Sequence, residues 1–61
     1  MNALSHLLAA VDELAPETRA RFDELIAYCR KDNRDEREIC ARVAAELSIY
    51  LQYGDLPQVM L

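Results

Sequence analysis

Along the chain, apolar residues recur at helical spacing in three blocks. In the first, over 3–14, Leu4, Leu7, Leu8, Val11 and Leu14 follow the i, i+3, i+4, i+7 pattern of an amphipathic helix. Asn2 is placed to cap its start, and Ser5, His6, Asp12 and Glu13 lie off the stripe. Pro16 closes this block and opens the next. The residue before a proline is pushed out of the right-handed helical region, and proline itself suits a first helical position, so the chain is expected to turn a corner here in preference to continuing as one kinked helix. The second block, 16–31, has Phe22, Leu25, Ile26 and Cys29 as its stripe, with Glu17 at the positive helix end and Arg21 four residues on.

Asp32, Asn33 and Arg34 interrupt the pattern. Asparagine tolerates the left-handed conformation that closes a helix, and Asp32 or Asp35 can cap the following one. Asp35 with Glu38 has capping-box spacing. The third block spans 35–53 and ends at Gly54, with Pro57 shortly beyond. It is more apolar than one buried face requires. Ile39, Cys40, Val43, Ala44, Leu47, Tyr50 and Leu51 form a continuous band, Ala41, Ala45, Ile49 and Tyr53 extend it round the back, and only Glu38, Arg42 and Glu46 mark a wet stripe. The alanines would let another helix approach closely.

These blocks predict an all-α domain over 1–61: a small three-helix bundle with helices of about 3–14, 16–31 and 35–53. The second and third helices are expected to form an antiparallel hairpin with the first packed across them, since a connection this short turns helices back on each other. Folding about the Arg34–Asp35 bond sets Cys29 opposite Cys40, Ile26 opposite Val43, Leu25 opposite Ala44 and Phe22 opposite Leu47, each pair apolar on both sides. The surplus apolar surface of the third helix predicts a homodimer.

Length strengthens that expectation. A chain of 61 residues buries only about 60% of the surface it exposes when unfolded, and is marginal without a disulfide, a metal or another subunit. Two cysteines and one histidine cannot complete a four-ligand zinc site within the chain, and two cysteines make no disulfide framework. Cys29 and Cys40 read as two small hydrophobes at the narrow end of a core or as a redox-sensitive thiol pair. With 52% hydrophobic and 30% charged residues, one Gly and two Pro, the composition is that of a folded helical protein and not a disordered one.

The net charge of −4 argues against broad binding to phosphates or to an anionic membrane. All seven basic residues lie between Arg19 and Arg42 among six acids, leaving a local balance of +1. Arg30, Lys31, Arg34 and Arg37 surround the 32–34 break, interleaved with Asp32, Asp35, Glu36 and Glu38. That is a mixed, solvated surface, with a dimeric nucleic-acid contact through the four cations as the alternative. Asp-Glu-Arg-Glu-Ile-Cys at 35–40, opening the second arm of a tight acidic hairpin, resembles the plasmid RNA-binding helical-hairpin dimers. The resemblance covers those few residues, Pro16 breaks what that family has as an uninterrupted first helix, and no residue roles are carried over from it.

The start of the chain lacks the positive region of a signal peptide, its apolar run is too short to span a membrane, and no lipidation motif is present. A cytoplasmic protein with reduced thiols and no membrane association is expected. One Gly and one His exclude the phosphate-binding, dinucleotide-binding, zinc-protease and serine-triad motifs, and His6 has no Asp, Ser or Cys at helical spacing to make it a general base. Neither an enzyme nor a cofactor site is expected. The reading is therefore a non-enzymatic interaction module, a small regulator, adaptor or inhibitor, contacting a larger protein or a second copy through Ile49, Tyr50, Tyr53, Leu56 and Met60, with Leu4 and Leu8 as alternatives. The apolar tail of 55–61 is expected to dock rather than fray.

Overall fold

Each apolar block folds into one helix. The computed structural model describes residues 3–58, with α1 at Ala3–Asp12, α2 at Pro16–Lys31 and α3 at Glu36–Tyr53. No strand occurs among the described residues. α1 stops two residues short of the expected end, where the N–H groups of Glu13 and Leu14 turn back to the carbonyls of Ala10 and Val11 at 3.2 and 3.0 Å. Ala15 then adopts φ −56°, ψ 148°, the extended conformation proline imposes on its predecessor, and Pro16 opens α2. The corner at Pro16 is therefore present.

The end of α2 is a Schellman turn built on asparagine instead of glycine. Asn33 takes φ +58°, its N–H bonds the carbonyl of Arg30 at 3.1 Å, and the Arg34 N–H bonds that of Cys29 at 3.1 Å. Asp35 then caps α3 by accepting the Glu38 N–H at 2.9 Å. At the far end Gly54 takes φ +77°, and its N–H returns to the Tyr50 carbonyl at 2.7 Å.

The core draws on all three helices: Leu4 and Val11 from α1, Phe22, Leu25, Ile26 and Cys29 from α2, Ile39 and Val43 from α3. Leu7, Leu8, Leu14, Leu47 and Tyr50 pack half-buried around them. The stripe expected of α2 is buried throughout, and that of α1 is buried at Leu4 and Val11 and half-buried at Leu7, Leu8 and Leu14. Beyond α3 the chain folds back far enough to bury Pro57, while Leu56 beside it stays 38% exposed. Residues 59–61 of the tail lie outside the described residues. The radius of gyration of 10.7 Å is close to the ~10.5 Å of a compact chain of this length.

α3 differs from expectation in how it is turned about its axis. Ala44 and Leu51, assigned to the inner band, are exposed, Leu51 at 71%. Arg42 and Glu46, assigned to the wet stripe, are half-buried and paired with each other at 3.2 Å. The pairing of Leu25 with Ala44 accordingly fails, since Leu25 is fully buried and Ala44 faces water. The face turned inward is narrower than the expected band, and the large Ile49, Leu51 and Tyr53 stay exposed. Ile39, Val43 and Tyr50 lie along one line at i, i+4, i+11, and burying them removes more apolar area from water than burying alanines would.

Candidate interaction surface

The interaction residues expected from the sequence divide into two groups. Tyr50 belongs to the core edge: its ring meets Phe22 edge-on, with centroids 6.3 Å apart and planes at 83°. Its hydroxyl lies 3.4 Å from the Thr18 hydroxyl, which gives the half-buried phenol a polar neighbour. Ile49, Tyr53 and Leu56 are exposed at 40%, 70% and 38%. Met60 lies outside the described residues. Leu4, the alternative on α1, is buried, and Leu8 is half-buried.

Ile49 and Leu56 are two walls of an open groove of about 820 Å³ between the end of α3 and α2, whose other lining includes Arg21, Arg42, Glu46 and Asp55. Its charges are not equivalent. Arg42 donates through Nε and an Nη to the same Glu46 carboxylate oxygen at 3.3 and 3.2 Å, so that pair is satisfied within one helix. Arg21 and Asp55 form no ion pair with any described residue. The groove thus joins apolar walls to one unpaired cation and one unpaired carboxylate. Arg21 was read from the sequence only as a surface partner for Glu17. Its place here follows from α2 lying beside the C-terminal end of α3, which helical spacing within α2 does not reveal.

The cations of the alternative reading lie at or beside the α2–α3 turn in sequence. Arg30, Lys31 and Arg37 are exposed around the α2–α3 turn, and Arg34 is half-exposed there. Arg34 bonds the Asp32 carboxylate at 3.0 Å, and that hydrogen bond raises its guanidinium above the ordinary arginine value. The turn is a mixed surface in which at least one cation is already engaged.

Both cysteines are free thiols, Cys29 buried and Cys40 half-buried. Cys40 opens onto a shallow pocket with Ala3, Leu4, Glu36 and Arg37. No group of three or more His, Cys, Asp or Glu among the described residues is arranged to hold a metal ion. No helix among them is long and apolar enough to cross a membrane. The chain matches no protein-family model, no curated protein and no solved structure.

Proposed function

We propose that this chain is a non-enzymatic protein–protein interaction module, a small cytoplasmic regulator, adaptor or inhibitor. In this reading α2 and α3 form an antiparallel hairpin, and α3 is the element through which the chain forms a homodimer. The observation that carries the proposal is the group of Ile49, Tyr53 and Leu56, three large apolar side chains left in water at one end of α3. Two of them wall an open groove whose rim bears the unpaired Arg21. A partner helix with an apolar strip and a flanking carboxylate fits that chemistry, the strip supplying affinity and the carboxylate orientation.

Affinity capture from the source cell tests it, with the wild-type chain and the Ile49→Asp and Tyr53→Asp variants as baits. A partner retained by wild type should be lost from both variants and kept by Arg30→Ala or Lys31→Ala. The competing reading, nucleic-acid binding by the four cations of the α2–α3 turn, rests on their closeness in sequence and their exposure, and predicts the reverse. There affinity should fall steeply with salt and respond to the arginines and the lysine, with little effect of Tyr53→Asp.

A further inference from the structure

Arg42, Glu46, Ile49 and Tyr53 follow one another along α3 at intervals of four, three and four, so a helix of about 3.6 residues per turn sets them on one face. The first three line the groove. Tyr53, the last residue of α3, continues their row and is 70% exposed. Tyr50 has a ring contact with Phe22 and a hydroxyl neighbour in Thr18. Tyr53 has neither kind of contact among the described residues. Five large apolar side chains are exposed in that part of the chain, and three of them, Ile49, Tyr53 and Leu56, gather at the groove and on its helix face.

The groove has room for an apolar side chain against Ile49 and Leu56, with a carboxylate for Arg21 and a cation for Asp55. The chain carries that whole set itself. Tyr53 supplies the ring, Asp55 two residues on supplies the carboxylate, and Arg21 is the cation. Arg21 and Asp55 line the same groove and are both exposed, yet neither is paired with the other or with any described residue. A surface with one unpaired charge of each sign beside uncovered apolar side chains complements its own copy across a two-fold axis, where every contact is made twice.

We propose that a second copy of this chain occupies the groove, with Tyr53 of each copy entering the groove of the other. The proposal rests on the homodimer assigned to α3 above and names the surface that forms it. Arg21 of each copy then meets Asp55 of the other, and Ile49 and Leu56 close on the incoming ring. A phenol suits an open cleft, since its ring is covered while its hydroxyl reaches water. Burial of the tyrosines and isoleucines supplies affinity, and the two ion pairs fix the register. Arg42 and Glu46 need nothing from the second copy, because they already satisfy each other. Both grooves are filled in such a dimer, so a foreign helix competes with the second copy for the same site.

Sedimentation equilibrium of the purified full chain, from micromolar to millimolar concentration, tests the proposal, with circular dichroism to confirm that each variant keeps its helices. Wild type should dimerise. Tyr53→Asp and Ile49→Asp should each weaken the dimer at least tenfold, whereas Leu51→Asp, on the opposite side of α3, should leave it within about twofold. Arg21→Glu and Asp55→Arg should each weaken it about tenfold, because like charges then meet twice across the axis. An equimolar mixture of those two variants should recover wild-type association, as should the double variant. A dimer that survives Tyr53→Asp and Ile49→Asp would overturn the groove as its contact while leaving self-association in place. A mixture no tighter than its components would overturn the exchange of Arg21 and Asp55 that assigns the groove to a second copy. A wild-type chain monomeric throughout would remove the homodimer altogether, and a foreign partner found by capture would then be the groove's occupant.

Discussion

At the scale of single residues, the chain's stability is concentrated in a few positions with identifiable work to do. Phe22 is fully buried and touches the Tyr50 ring, and Phe22→Ala should cost about 3–5 kcal/mol, most of what a domain this small has. Tyr50→Phe keeps the ring contact and gives up only a 3.4 Å approach to Thr18, so urea denaturation should show a loss below about 1 kcal/mol. Asp35→Ala removes the α3 cap bond at a cost of about 1 kcal/mol. Gly54 takes a left-handed φ with nothing within 4 Å of an added Cβ. Gly54→Ala should therefore lose about 1–2 kcal/mol through backbone strain alone. The cysteines should separate kinetically. Iodoacetamide should label half-buried Cys40 in the native protein and reach buried Cys29 only on unfolding.

At the scale of elements, adjacent positions on α3 test its rotation. Val43 is fully buried and Ala44 is exposed. Thermal melts at concentrations low enough to keep the chain monomeric should show Val43→Ala destabilised by about 1–3 kcal/mol and Ala44→Lys within about 0.5 kcal/mol of wild type. The opposite order would restore the Leu25–Ala44 pairing that sequence spacing alone implies. What could be read in the sequence follows from how each signal arises. Pro16, Asn33, Asp35 and Gly54 act on their own backbone, so the helix boundaries were legible without tertiary information. The stripe of α2 is narrow and flanked by charges, and the large apolar residues of α1 fall on the side away from Ser5, His6 and Asp12, so each has one way to face a core. α3 has apolar residues nearly all round, and periodicity alone does not choose among its faces. Ile39, Val43 and Tyr50 face the core, whereas Ile49, Leu51 and Tyr53 of the same helix do not.

At the scale of the whole molecule, two kinds of surface compete to explain an acidic chain of 61 residues. The cations of the α2–α3 turn are dispersed among carboxylates, whereas the exposed apolar residues of α3 have no such compensation. If the apolar surface is the functional one, association should persist from low salt to about 0.5 M, where the screening length falls to roughly 4–5 Å and phosphate contacts weaken severely. The candidate site was legible only in part. Ile49, Tyr53 and Leu56 were identified from apolar excess at a helix end, but Tyr50 went to the core through its ring contact with Phe22, and Arg21 entered only because α2 lies beside the end of α3.

The way α1 is placed also bears on how the protein is made. α1 packs more on α3 than on α2, its neighbour in sequence, so its Leu4 and Val11 find much of their cover only after the whole of α2 has been synthesised. A ribosome adding about 5–20 residues per second takes some 2–8 s to go from the end of α1 to the end of α3. Through that interval the apolar stripe of α1 lacks the helix that gives it most of its cover. The helix made first is thus the one whose main partner is made last.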